Sequence, residues 1–252
     1  MTSTTSTVRT WELLAPRVER GRTTTVATAT RAGGGRTRNC DAAAVAHYAT
    51  AGTVSAAVVD GKGTSAETAA TMAVCAQAAA RYAARYGALQ GLLDAGRMIA
   101  DPGQRFADVD GVAAVAVVRP GAPTTVVHVG RARAYTWDGA VLHRLTEDHT
   151  HGQQLRHQGH TEAQAAAQDH LQRVTLARSS VGTAPTVLTD DRLVLLTTDG
   201  VHDALTHDQM TALVRASHHD SAALADALVA AAARYTQDGQ ADDATVAVIA
   251  LG

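Results

Sequence analysis

Thr53-Val54-Ser55-Ala56-Ala57-Val58-Val59-Asp60-Gly61-Lys62-Gly63 is the stretch whose reading decides the architecture. Residues 54–59 are apolar almost throughout, as a central buried strand requires. The run stops at Asp60-Gly61, so the strand delivers a carboxylate to a sheet edge, with glycine backbone free to approach a ligand. The same device recurs where residues 193–198 run into Asp199-Gly200. A third acidic point, Asp242-Asp243, precedes the apolar closing run 245–251. Any one Asp-Gly pair reads most simply as a turn; the repetition argues for a site. Carboxylates converging at about 4 Å repel by about 4 kcal/mol per pair at an effective dielectric of about 20. A fold gains nothing from such a cluster unless a cation sits in it. Oxygen-only ligands suit Mg2+ or Mn2+, and two such ions bridged by a water make a nucleophile able to attack phosphorus in line.

Working outward, residues 22–31 are Thr-rich and alternate, which predicts a strand. Residues 32–39 form a Gly/Arg loop, and residues 41–50 a further strand. The clearest helix covers residues 65–86, Ala-rich without Pro or Gly, with Thr64 or Ser65 to cap it. A second follows over residues 88–100, and Asp101-Pro102-Gly103 ends the region. Residues 112–118, 125–129 and 132–137 read as successive strands between turns. Residues 146–170 are polar and His-rich, a segment of loops and short helices. Residues 192–198 form another buried strand, 221–235 an Ala-rich helix and 245–251 the last strand. Strands and helices do not alternate regularly, which argues against a doubly wound parallel sheet. Strands grouped around paired helices predict an α+β sheet sandwich with helices on its outer faces. Residues 1–20 read as an N-terminal tail, frayed over its Thr/Ser-rich first ten residues, and 21–252 as a single domain.

The chain has 252 residues, 46% hydrophobic but only 3% aromatic, so its core must be built of Ala, Val and Leu. A formal charge of -2 gives neither a nucleic-acid footprint nor a polybasic membrane patch. No apolar run is long enough for a membrane span. The two cysteines, Cys40 and Cys75, make neither a disulfide framework nor a zinc cluster, and a cytoplasmic, monomeric protein is expected.

Six short motifs, in order along most of the chain, make it resemble the metal-dependent serine/threonine protein phosphatases of the PPM (type 2C) family, bacterial branch. Arg36-Thr37-Arg38-Asn39-Cys40-Asp41 resembles the opening R-x-x-N-[EQ]-D, and Val59 to Gly63 the D-G-x-G element. Val129-Gly130-Arg131-Ala132-Arg133-Ala134-Tyr135 is similar to V-G-D-S-R-x-Y, and Leu145-Thr146-Glu147-Asp148-His149 to L-T-x-D-H. Thr198-Asp199-Gly200-Val201-His202-Asp203 resembles S-D-G-L-x-D, and Ala241-Asp242-Asp243-Ala244-Thr245 the closing D-N-x-T. The resemblance implies a four-layer α-β-β-α sandwich with two central antiparallel sheets. It implies two Mg2+ or Mn2+ ions, with a third, weaker one in bacterial relatives. Asp60 would bridge two metals, with the Gly61 carbonyl on one of them, and Asp199 and Asp242 would complete the first. Asp203 would serve the third metal, with Asp110 as its partner. Arg36 would hold the substrate phosphate by its planar fork, and Asp41 would order the metal-bound water or a ligand. No covalent phospho-enzyme is implied.

Four departures from the family pattern stand out. Cys40 replaces a Glu or Gln, and reads either as a small inert side chain or as an oxidation-sensitive thiol. Arg131 replaces an Asp that supports the metal shell; it would either weaken metal affinity or face outward. Thr64-Ser65-Ala66-Glu67 replaces the glycines and His after D-G-x-G. Gly111-Val112-Ala113 replaces a G-T-T strand start. Lys62, the single lysine, stands where many eukaryotic relatives have a proton-donating His; it reads as an acid or phosphate clamp, or as a solvated turn residue. His149, His151, His157, His160 and His170 follow no clean zinc spacing and read as a polar flap over the site edge.

The leading expectation is hydrolysis of phosphoserine and phosphothreonine in proteins, with a phosphoprotein substrate and a Ser/Thr kinase as partners. The alternative is a weakened or inactive phosphatase-like domain that binds a phosphoprotein or kinase without turnover. A third reading is a phosphatase of small-molecule phosphates.

Overall fold

The computed structural model describes residues 11–12, 23–101, 103, 107–234 and 241–252. One antiparallel sheet runs in the order β1 (Trp11–Glu12), β2 (Thr24–Arg31), β11 (Ala244–Leu251), β10 (Leu193–Thr197), β7 (Arg133–Trp137), β8 (Leu142–Arg144). The other runs β3 (Asp41–Tyr48), β4 (Thr53–Gly61), β5 (Gly111–Val118), β6 (Thr124–Val129), β9 (Thr186–Thr189), again antiparallel throughout. Helices α1 (Ala66–Tyr86) and α2 (Ala88–Ile99) cover the second sheet, and α6 (His207–Ser217) and α7 (Ser221–Arg234) cover the first. Short helices α3 (His151–His157), α4 (Glu162–Ala166) and α5 (Asp199–His202) lie in the connections.

The burial of β4 explains its unbroken apolar run. Val54, Ala56 and Val58 face the layer between the sheets, where they join Ala114, Leu196 and Ile249. Ala57 and Val59 face the other way, against Met72, Ala76 and Ala79 of α1. A strand covered on both faces has no polar side to show. The four layers are therefore helix, sheet, sheet, helix, with one apolar cluster in each of the three gaps. The expected α+β sandwich is what the chain forms.

Helix α1 starts where its cap demands. Ser65 is extended, and its side chain accepts a hydrogen bond from the Thr68 N–H at 2.9 Å. Ala76, Ala79, Ala80 and Ala83 line its buried face with no exposure. The Ser55 hydroxyl of β4 donates to the Ala80 carbonyl at 2.6 Å, which satisfies a polar group inside an apolar layer.

Several elements differ from the sequence expectation. Helix α6 and strands β8 and β9 were not foreseen. Only Met210 and Val214 of α6 are buried, so its apolar stripe is thin. The start of β11 also includes Ala244. The expected tail lies outside the described residues, except that Trp11 and Glu12 pair with Val26 and Thr25 at the edge of the first sheet. The expected start of the first strand at residue 22 and Tyr235 at the end of α7 also lie outside them, as does Pro102. Among the described residues no helix is long and apolar enough to cross a membrane.

Leu196 is fully buried in the layer between the sheets. Leu196→Ala is expected to lower unfolding stability by about 2–5 kcal/mol, the usual range for such truncations, measured by denaturant titration.

Candidate active site

Strands β4 and β10 end on the same side of the sandwich on which β3, β5, β7 and β11 begin, and the acidic residues gather there. Asp60 pairs with Asp41 across β3–β4. Opposed residues in an antiparallel pair share a face, and Asp60 has the parity of Val58, so both carboxyls point toward the gap between the sheets. The hydroxyl of Thr198, at the end of β10, donates to the Asp41 carboxylate at 2.6 Å and accepts from the Thr245 N–H at 2.9 Å. That bond joins the two sheets at the site. Asp60 also feels the charge of Asp199.

The glycine after each strand-end aspartate is required by close approach. A Cβ on Gly61 would lie 2.6 Å from the Cys40 carbonyl and 2.6 Å from Met72 Cγ. One on Gly200 would lie 2.0 Å from the Asp243 carbonyl. The Asp-Gly pairs thus let neighbouring backbone pack against the carboxylate-bearing residues.

The electrostatics are those of an over-acidic cluster. Burial, then the charges of Asp199, Asp41 and Asp242, push the Asp60 carboxyl well above the usual range. Burial also pushes Asp41 well up; the Thr198 hydrogen bond opposes this, while Asp199 and Asp243 add to it. Asp199 is raised by burial, with Arg131 opposing and Asp203 and Asp242 adding. A raised carboxyl pKa means that the folded chain keeps a proton that the unfolded chain loses.

Two arginines supply the positive charge. Arg36, from the loop between β2 and β3, contacts Asp242 at 2.6 Å and Asp243 at 3.2 Å. Arg131, just before β7, contacts Asp199 at 3.3 Å and pairs with Asp203. Of the two possibilities that the sequence leaves for Arg131, the inward one is realised, with 15% of its side chain exposed.

Asp243 plays a part that sequence reasoning did not give it. It is 2% exposed, and accepts from the Gly33 N–H at 2.8 Å, the Cys40 N–H at 2.8 Å and Arg36. It therefore pins both ends of the loop that carries Arg36. Its neighbour Asp242 has 49% of its side chain exposed. The signal was present as a doubled aspartate at the start of a buried strand, but which of the two turns inward depends on the fold.

The remaining candidates are placed as follows. Lys62 is exposed in the turn after β4, and its N–H donates to the Asp110 carbonyl at 2.9 Å. The Asp110 carboxylate accepts from the Gly111 N–H at 2.8 Å and the Ala177 N–H at 3.0 Å. Asp110 thus ties residues 175–178 to the start of β5. Cys40 is 1% exposed, and burial followed by the Asp243 charge pushes its thiol up, the behaviour of an inert side chain. The His149 ring lies tilted against that of His128 with centroids 4.5 Å apart, and burial followed by the His128 charge lowers its pKa to about 4. His151, His157, His160 and His170 are exposed. The flap is rooted beside Arg131, where the His149 N–H donates to the Gly130 carbonyl at 2.9 Å.

No protein-family model matches the sequence, and no curated protein does. Solved structures do. The serine/threonine phosphatase Stp1 from Staphylococcus aureus superposes with a TM-score of 0.76 at 17% identity, covering 95% of this chain and 100% of that one. This chain has the fold of the bacterial PPM-type phosphatases. The PPM Ser-Thr phosphatase MsPP from Mycobacterium smegmatis, in complex with cacodylate, gives 0.70 at 26% identity, covering 90% of this chain and 98% of that one. The catalytic domain of PstP, in complex with two manganese ions, gives 0.66 at 20% identity over 90% and 98%. The PPM-type fold agrees with the six motifs, which converge on one edge of the sandwich.

Asp41, Asp60 and Asp199 offer this PPM-fold chain oxygen donors of the kind that a hard cation takes. Their raised pKa values show that the ionised forms are disfavoured without a counter-ion. Among the described residues, however, no group of three or more His, Cys, Asp or Glu side chains is placed to hold a metal ion.

Two predictions follow from this geometry. Asp243→Ala leaves two buried N–H groups without acceptors and is expected to cost about 3 kcal/mol; Asp243→Asn, which keeps one oxygen, should cost less. Denaturant unfolding, with hydrogen exchange at the Cys40 amide, checks this. Metal-free protein should lose stability as pH rises from the unfolded carboxylate range, about 4, up through the raised folded pKa values. Asp60→Asn removes part of that loss. It is expected to raise the neutral-pH melting temperature of metal-free protein by about 2–4 °C, the shift that 1 kcal/mol gives in a domain of this size, and to flatten the pH profile.

Proposed function

We propose that this chain is a metal-dependent phosphatase that hydrolyses phosphoserine and phosphothreonine in proteins. The observation that carries the proposal is the meeting of Asp60, Asp41 and Asp199 beside the Arg36 guanidinium, at the edge of a fold shared with serine/threonine phosphatases. Manganese in the PstP structure supports Mn2+ or Mg2+ as the cation. The bound ions would supply an activated water and neutralise phosphate charge.

Asp60 lies opposite Asp41 in register and feels the charge of Asp199. In this reading Asp60 would help hold the ions, and Asp41, with Thr198 bonding one of its oxygens, would orient a water. Protons now held by these carboxyls would leave when a cation enters. Asp243 fixes one arm of Arg36. The other arm rests on half-exposed Asp242 and is the one that a phosphate would draw away. Lys62, at the rim with an exposed side chain, is within the same turn as Asp60 and Gly61 and would serve the leaving group or the phosphate. A phosphoprotein substrate, an opposing Ser/Thr kinase and a cytoplasmic setting complete the proposal.

The test is hydrolysis of p-nitrophenyl phosphate and of phosphoserine and phosphothreonine peptides at millimolar Mn2+, with chelator as control. Activity is expected to need the metal and to fall by about two orders of magnitude or more in Asp60→Asn. Arg36→Ala should raise KM about ten-fold with a smaller change in kcat. Lys62→Ala should slow an alkyl phosphate more than p-nitrophenyl phosphate; equal losses would exclude the acid role. No hydrolysis, with no heat released on Mn2+ titration, would favour a phosphoprotein-binding domain instead, and activity confined to metabolite phosphates would favour a small-molecule phosphatase.

A further inference from the structure

The proposed site contains a cation of its own. Arg131 reaches Asp199 with Nη1 at 3.3 Å and Asp203 with Nη2, so one guanidinium spans two of the carboxylates that the PPM resemblance gives to metals. It is built in rather than loosely laid on. The Arg131 side chain is 15% exposed, and its Nε is buried with no hydrogen-bond partner. The charges of Asp203 and Asp199 hold the guanidinium protonated against its burial. A divalent ion and this guanidinium cannot both take the same carboxylate oxygens. Asp203, with 49% of its side chain exposed, leaves the fork a way out toward solvent. On that side lies Asp169, which feels the Arg131 charge but is already held by both arms of Arg156 at 2.7 Å.

We infer that Arg131 is an internal competitor of the divalent cation: it neutralises Asp199 and Asp203 in the metal-free protein, and metal loads there only by displacing it. The protein is therefore a low-affinity metal binder whose metal-free form is stabilised by the pair that metal must break. The inference rests on the metal-dependent reading above, and its test separates the two.

Mn2+ binding is measured by calorimetry on wild type and Arg131→Met, which keeps the stem and removes the charge. Binding about ten-fold tighter or more is expected in the variant, since an interaction opposing the ligand has been deleted. The metal-free variant is expected to melt below wild type, because Asp199 and Asp203 lose their partner, and to gain more from Mn2+. Equal or weaker Mn2+ affinity in Arg131→Met overturns the competition while the metal-dependent reading stands. Absence of Mn2+ binding in both proteins overturns both. Should the variant fail to fold, wild type alone decides: side-chain NMR of the arginines during Mg2+ titration should show the Arg131 guanidinium signal, assigned with Arg131→Lys, moving with saturation. A signal that stays put while Mg2+ binds overturns the inference.

Discussion

The constraint on which the rest depends is that carboxyl groups have been carried into a poorly hydrated edge between two sheets, where they cannot all be charged unaided. Burial raises the pKa values of Asp41, Asp60 and Asp199, and the Asp199 charge raises Asp41 and Asp60 further. Three kinds of positive partner answer that excess: protons, guanidinium groups and, in the proposed reaction, divalent ions. They are alternatives for the same oxygens. The arginines are thus part of the same electrostatic system as the aspartates and not a separate substrate clamp beside it.

The supporting structure is polar and neutral where it needs to be. Thr198 bonds Asp41, while Thr30 and Thr245 meet at 2.6 Å and Thr30 also holds Asn39 at 2.7 Å. The Asn39 side-chain Oδ1 in turn accepts from the Asp41 N–H at 2.9 Å. Hydroxyls are suited to this work because each can donate and accept. On the opposite flank Arg133 grips Asp148 with two bonds, at 2.9 and 2.5 Å, and locks the strand that follows Arg131 to the base of the flap. The residue that departs from the family pattern is therefore held between rigid neighbours.

What was legible in the sequence had a local cause. β4, β10 and α1 are long, buried and uniform, so periodicity and a cap residue announce them. The three strand-end aspartates were legible because each interrupts an apolar run. What was not legible depends on tertiary placement. The inward turn of Arg131 is decided by Asp199 and Asp203, which lie about seventy residues away in the chain. Asp242 and Asp243, in the irregular stretch just before β11, are neighbours with opposite fates: one is half-exposed and the other is buried against the Arg36 loop. Helix α6 escaped notice because a helix that buries two residues leaves a faint stripe, and the backbone contacts of Asp110 are invisible in composition.

Gly61 and Gly200 have an evolutionary consequence. Each sits where even a methyl group would strike carbonyl oxygen, so the path by which this chain can drift is narrow at those points and wide at Lys62 or Thr64, which are exposed. A lineage that changes the chemistry of this edge does so most readily by exchanging side chains on an unchanged backbone. The frame is the slow variable and the charge pattern the fast one. Divergence within such a frame should alter which cations the edge prefers well before it alters the sandwich that holds it.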